Sequence, residues 1–384
     1  MEFSANSRAE ILMVVANPSG TSKIRRYPCP GCSAELLFEP KDGCLTCPYC
    51  GRREEIPASA SEVQERSYLD YLNLDPAQFK AYETGVLEVQ CSNCGATVSF
   101  TPPVVAGRCD FCASPIVAQP SVPSPVLAPE SVLPFGFPQA RASEAFKSWL
   151  GSRWFAPNAL IRLARQEGVS GIYLPFWTFD AHTLTHYTGE RGEYFWETET
   201  YQGRDERGGT VTKTRQVRKT IWYPASGQVE RWFDDVLIPA TRSIPSARIR
   251  SLEPWDLNEL KPYQPAYLSG FKAQRYQIDP KEGFEDAKHF MGLLITGEIR
   301  QDIGGDEQRI HQVATTYSAI TFKHLLLPVW ISAYRFQDRV YQVVMNARTG
   351  EVQGERPYSL LKIAAFVVFL ILIFLMLIFL SQQQ

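Results

Sequence analysis

The chain has 384 residues, 45% of them hydrophobic, enough for about two or three domains with adequate cores. Its formal net charge of −2 and pI near 6.3 exclude a general attraction to phosphate backbones, so any nucleic-acid contact would need a local basic patch. Signal-peptide export is not expected, because the apolar run at residues 11–16 is short and Arg8 is the one basic residue ahead of it.

Residues 29–50, CPGCSAELLFEPKDGCLTCPYC, hold five cysteines where a tetrahedral metal site takes four. An internal repeat selects among them. Displaced by 62 residues (91 − 29), Cys29, Cys32, Cys47 and Cys50 fall on Cys91, Cys94, Cys109 and Cys112, and both copies read C-x2-C-x14-C-x2-C. Ala34/Ala96, Phe38/Phe100, Pro40/Pro102 and Tyr49/Phe111 match as well, whereas Cys44 falls on Ala106 and stands outside the set. Two residues between thiolates let one tight turn aim both sulfurs at one ion at about 2.3 Å, and two such turns complete a tetrahedron. Four thiolates leave no position for water or substrate, so two structural zinc ions are expected, one per copy. Glycine follows the second cysteine of a pair at Gly51 and Gly95, but Ser33 and Ala113 stand there in the other pairs.

The ELLF and TVSF runs between the cysteine pairs alternate as short strands, which predicts zinc ribbons at 24–57 and 88–118. Units this small rely on metal for much of their folding free energy. Charge argues against nucleic acid. Arg25, Arg26, Lys41, Arg52 and Arg53 are balanced by Glu35, Glu39, Asp42, Glu54 and Glu55, and the second ribbon sets Arg108 against Glu88 and Asp110.

The segment 58–87 reads as a helical linker. Seven prolines between Pro115 and Pro138 predict an extended, semi-rigid linker at 119–138 carrying the ribbons as an arm. An α+β domain is expected over 139–358. It opens with helices near 140–150 and 157–167. From Tyr173 to Ala247, Thr, Tyr, Trp and Val predict several antiparallel strands, with turns at Gly208–Gly209 and Ser226–Gly227. Asp279 as N-cap, Pro280 at the first helical position and Glu282 as capping-box partner start a long helix that Gly304 ends. Phe284, Ala287, Met291, Leu294, Ile295, Glu298 and Ile299 follow one face of it. LPFWTFDA from Leu174 and LPVWISAY from Leu327 share L-P-x-W, placing Trp177 and Trp330 at equivalent core positions. A hairpin turn is expected at Asn346–Gly350.

Ile363–Leu380 is a run of 18 apolar residues, spanning roughly 27 Å as a helix and so long enough to cross a bilayer. Arg356 and Lys362 precede it and no basic residue follows, which predicts a single-pass tail anchor with the soluble part in the cytoplasm. In that reducing compartment the cysteines are better read as metal ligands than as disulfides.

Catalytic motifs are missing: no G-x-x-x-x-G-K-S/T, G-x-G-x-x-G, H-E-x-x-H or G-x-S-x-G occurs. Asp180, His182, His186 and Glu190 would share one face of a strand, which makes them a candidate metal site or an ordinary half-exposed strand. Lys213, Arg215, Arg218 and Lys219 read as a solvated surface, with anionic lipid headgroups as a second use.

With the two ribbons, GIYLPFWTFDA, YLSGFKAQRYQID, HLLLPVWISAYRFQDRVYQVVMNARTGEVQGERPYSLLKI and the terminal apolar run resemble a family of bacterial membrane-anchored zinc-ribbon proteins whose ribbons are of the transcription-factor-B type. The likeness covers most of the chain from Arg25 to Leu380. Members often accompany phage-shock-protein-A type membrane-remodelling proteins and SPFH-domain, virion-core-like proteins, which implies a recruiting role at the inner face of a membrane. Some relatives bear names taken from the primosomal replication helicase, but no phosphate loop or motor-sized domain is present here.

The expectation is therefore an α+β protein: two zinc-ribbon β modules, a mixed domain rich in antiparallel strands, and one transmembrane helix. It would act as a non-enzymatic scaffold bringing protein partners to the lipid bilayer, and the sequence identifies no small-molecule substrate. A zinc-ribbon nucleic-acid-binding protein is the first alternative, and an enzyme with its site in 139–358 is the second.

Overall fold

The computed structural model describes residues 27–57, 63–73, 87–91, 96–100, 106–112, 115–117, 127–157, 168–204, 209–336, 339–355 and 358–381. The architecture is mixed α and β around one large, mostly antiparallel sheet. At the N-terminus, β1 (Leu37–Glu39), β2 (Cys44–Thr46) and β3 (Arg53–Glu54) form a small antiparallel sheet. After β4 (Arg66–Ser67) and α1 (Tyr68–Asn73), β5 (Leu87–Gln90) pairs with β6 (Thr97–Phe100), and β7 (Ala106–Arg108) with β8 (Pro115–Val117). The repeat is structural as well as sequential. Thr46 opposite Arg53 and Pro28 opposite Glu35 recur, 62 residues on, as Arg108 opposite Pro115 and Gln90 opposite Thr97.

The body begins with β9 (Ser131–Val132) and α2 (Gln139–Gly151), the first expected helix; residues 158–167 of the second lie outside the described residues. Between Tyr173 and Ala247 stand not several strands but two very long ones, β10 (Ser170–Arg204) and β11 (Thr210–Pro239), paired as one hairpin. At about 3.3 Å per residue, the 35 residues of β10 measure roughly 115 Å along the chain. Gly209 lies at the hairpin's turn, whereas Ser226–Gly227 sits inside β11, opposite Thr188 and Tyr187. Gly227 is there for packing: an added Cβ would lie 2.6 Å from Tyr187 Oη and 2.8 Å from Asp302 Oδ2, two atoms already hydrogen-bonded at 2.6 Å.

Next come α3 (Ser246–Arg250), β12 (Lys261–Pro262), β13 (Lys272–Ala273) and α4 (Pro280–Ile303). Asp279 caps α4 by accepting from the Glu282 N–H at 2.8 Å, and Gly304 ends it at φ 66°, while the Glu282 carboxylate pairs with Arg242. Phe284, Ala287, Met291, Ile295, Ile299 and Ile303 are buried on the sheet; Leu294 and Glu298, which the sequence placed on that face, are partly exposed, and Glu298 pairs with Arg231. Finally β14 (Glu307–Phe336), β15 (Arg339–Asn346) and β16 (Val352–Gly354) complete the order β11-β10-β14-β15-β16, and α5 (Leu360–Ser381) follows. The turn after Asn346 forms as expected, with Gly350 at φ 84° and its N–H donating to Asn346 O.

The two L-P-x-W segments pair with each other. Leu174 faces Leu327 across β10 and β14, with Pro175 opposite Leu326 and Tyr173 opposite Pro328. Side chains alternate between sheet faces, so Tyr173, Trp177, Phe179, Phe322, Leu326 and Trp330 line one face, and Leu174, Phe176, Leu325, Leu327 and Val329 the other. All are buried. Leu36, Phe38 and Leu45 of the first ribbon join the core on the Tyr173 face, while Ala96 and Phe111 of the second join the core on the Leu174 face.

The ribbons therefore do not ride on a free arm. Phe38 N–H donates to Ser269 O (3.0 Å), Ser269 Oγ–H donates to Leu36 O (2.6 Å), and Lys272 pairs with Asp110 at 2.7 Å. Of the proline-rich spacer expected at 119–138, residues 119–126 lie outside the described residues, and 127–138 is packed into the body for the same reason. Counting prolines passes over Val132, Leu133, Phe135 and Phe137, all buried, and β9 lies between β14 and β12 as part of the sheet. Extended, proline-set backbone suits a short strand as well as a spacer, and the apolar side chains decide which it becomes.

Gly227→Val should push against Tyr187 and Asp302 and cost about 1–3 kcal/mol, read as a lower thermal unfolding midpoint. A turn glycine exposed to solvent would show no such loss.

Candidate metal centres

Two hairpin turns build the first centre. Ser33 N–H donates to Cys29 O (2.8 Å) and Gly51 N–H to Cys47 O (3.0 Å), closing each C-x-x-C into a tight loop. The residue after the second cysteine must adopt a left-handed backbone: Gly51 does so at φ 71°, and Ser33 does so at φ 60° despite its side chain. At Ser33 the departure from glycine noted in the sequence thus keeps the geometry, and Ala113 lies outside the described residues.

The Sγ atoms of Cys29, Cys32, Cys47 and Cys50 all lie within 4.8 Å of one another, with Cys29 and Cys50 at 3.5 Å and Cys32 and Cys47 at 3.4 Å. These separations are far longer than a disulfide bond of about 2.05 Å. They are close to the roughly 3.8 Å edge of a tetrahedron whose metal–sulfur bonds are about 2.3 Å. Cys44 takes no part; its Sγ lies 3.7 Å from Thr46 Oγ1, as the repeat required.

In the second centre Cys91, Cys109 and Cys112 converge within the same limit, with Cys91 and Cys112 at 3.5 Å, and Cys94 lies outside the described residues. Cys91 N–H donates to Ala96 O (2.8 Å), as Cys29 N–H does to Ala34 O (2.7 Å). The three described cysteines here are buried, whereas Cys32 and Cys50 of the first centre reach solvent.

The electrostatics call for a cation. The Cys50 backbone N–H pulls the Cys47 thiol down to about 6, against the effect of burial. The Ala34 N–H pulls on Cys32 in the same sense, but the sulfurs of Cys47, Cys50 and Cys29 push that thiol up to about 12. Four sulfurs this close cannot all carry charge unaided, and a divalent ion at their centre removes the conflict. The donor set therefore fits a bound metal ion in each ribbon and leaves no ligand position open in the first.

The other candidate cluster disperses. Asp180 accepts the Asp235 N–H (2.6 Å) and the Thr321 hydroxyl (2.9 Å); His182 meets Glu230 at 2.6 Å; Glu190 faces Arg309 and His311. Their strand positions share a face, but Asp180, His182 and Glu190 are engaged by separate partners on β11 and β14 and do not converge on one another. Of the basic run, Arg215 and Lys219 pair across the hairpin with Glu199, and Arg218 lies over the Tyr194 ring at 4.1 Å.

The sequence reading missed His324. It sits fully buried in β14 against Trp177, and its Nδ1 must carry the ring proton because the atom 3.1 Å away, Leu127 O, only accepts. Nε2 has no partner among the described residues. Burial holds the ring's pKa down to about 4, with the Arg66 charge acting in the same direction. Nothing local in HLLLPVW marks this histidine as special.

No family model matches the chain, and no solved structure matches it. It is similar to uncharacterized protein YdjG of Bacillus subtilis (strain 168), with 27% identity over 346 residues that cover 88% of this chain and 92% of that protein. The likeness thus extends over nearly the whole chain.

Cys47→Ser should abolish metal binding at the first centre, whereas Cys44→Ser should leave metal content unchanged, as measured by elemental analysis of the purified protein. His324 supplies a pH dependence. Its folded pKa lies below the unfolded value of 6.5, so its contribution is complete above pH 6.5 and is lost as pH falls toward about 4. The full loss is about 3 kcal/mol. His324→Phe should flatten that acid limb of stability against pH relative to the wild type.

Proposed function

We propose that the protein is a non-enzymatic, membrane-anchored scaffold whose two ribbons each hold a structural zinc ion. The observation that carries this reading is the pairing of a closed four-sulfur centre, packed into the body's core, with a terminal helix of 22 residues whose apolar side chains are exposed and which is long and apolar enough to cross a membrane. Zinc suits an all-thiolate tetrahedron, and with no ligand position open its work is folding, not chemistry. Arg356 and Lys362 ahead of the helix favour a cytoplasmic body.

The scaffold reading also needs a surface for partners. Because their inner faces are buried, the described residues of the ribbons offer rims such as Tyr49, which is 82% exposed between Cys47 and Cys50. The larger offer is the hairpin beyond Gly192, where β14 has ended and β10 and β11 continue alone. Phe195, Trp196, Tyr201 and Ile221 are exposed there. By the family resemblance, the partners are phage-shock-protein-A type or SPFH-domain proteins at the membrane. The rival nucleic-acid reading loses support from the ion pairs that occupy Arg215 and Lys219.

Deleting 360–381 should move the protein from the membrane to the soluble fraction, and purified full-length chain should carry about two zinc ions, one for each cysteine group. Crosslinked pull-downs from membranes should lose a partner on Trp196→Ala. A salt-dependent shift of DNA or RNA by the intact protein would instead support the nucleic-acid reading.

A further inference from the structure

The loop after α2 and the first turns of α5 are built into one another. Ser359 N–H donates to Phe155 O (2.8 Å), and the Lys362 ammonium donates to the carbonyls of Trp154 (3.2 Å) and Ala156 (2.8 Å). Phe366, one turn further along the helix, meets Phe155 edge-on at 5.6 Å and Trp154 at 6.0 Å. Trp154 is nevertheless 72% exposed, and Tyr358, Leu360 and Leu361 at the same end of the helix are exposed with it.

The helix fixes the depth of this collar. Lys362 is the last charged residue before the apolar run, so its ammonium belongs at headgroup level. Phe366 lies four residues on, roughly 6 Å deeper along the helix axis. Rings in contact with Phe366 therefore sit between the headgroups and the first acyl carbons. An indole with an apolar body and one N–H donor is best solvated in that zone, where tryptophan and tyrosine gather in membrane proteins. The two carbonyls bound by Lys362 also keep its charge satisfied there without bulk water.

We propose that Trp154 and Phe155 form a second membrane-contact site, which seats the body on the lipid headgroup region instead of leaving it on a free tether. The occupant is the bilayer interface itself, continuous with the helix that enters it. This inference rests on α5 spanning the membrane.

The full-length protein, reconstituted into phosphatidylcholine–phosphatidylglycerol vesicles and checked by flotation, provides the test. Lipids brominated just below the headgroup should quench part of the tryptophan emission of the wild type, and that quenchable component should disappear in Trp154→Phe. Equal quenching in the two proteins would overturn the inference while leaving the anchor intact. Protection of Trp154 from aqueous acrylamide without quenching by brominated lipid would overturn it as well, since protein would then cover the ring. Failure to float would remove the anchor, and this inference with it.

Discussion

The fold turns on the pairing of Leu174 with Leu327 within the sheet, because around that pair both faces are apolar and both need a cover. A sheet with one wet face could rely on α4 and the loops near it. This one buries Tyr173, Trp177 and Trp330 on one side and Leu174, Phe176 and Val329 on the other. The two ribbons are the added covers, each contributing a few aromatic and aliphatic residues to a different face. The internal repeat thus serves a sheet that has two sides.

That arrangement couples the metal centres to the whole body. Cys29 and Cys47 belong to the same cluster of buried residues as Phe135, Tyr173 and Trp330, and Cys91, Cys109 and Cys112 to the one holding Leu174 and Leu327. A ribbon of this size has too little apolar surface to hold its shape alone, so the charge balance at its sulfurs is a condition for covering the sheet. A metal ion held by these sulfurs would act well beyond the ribbon that binds it.

Much of this was legible in the sequence. The offset of 62 residues singled out Cys29, Cys32, Cys47 and Cys50 from five candidates, and capping chemistry placed α4 from Pro280 to Gly304 because both depend on local spacing. The body's strands were less legible, since glycine has two uses: Gly209 lies at a turn, while Gly227 makes room for Tyr187, and only the tertiary partner tells them apart. The same limit applies to 127–138, where prolines suggested reach and Val132, Leu133, Phe135 and Phe137 supplied burial. Asp180, His182, His186 and Glu190 showed a strand period but not the separate partners that engage Asp180, His182 and Glu190. His324 carried no signal at all, because its chemistry arises from burial.

The unbroken course of β10 has a mechanical consequence. One strand runs from Trp177 in the core to Arg204 near the hairpin tip, bonded to β11 over nearly its whole length. Sliding it by one residue would exchange its two faces, so the register resists axial slip. Bending and twisting remain the soft modes. A load applied at the tip would therefore reach the apolar part of the sheet around Trp177 as bending or twist and not as axial slip.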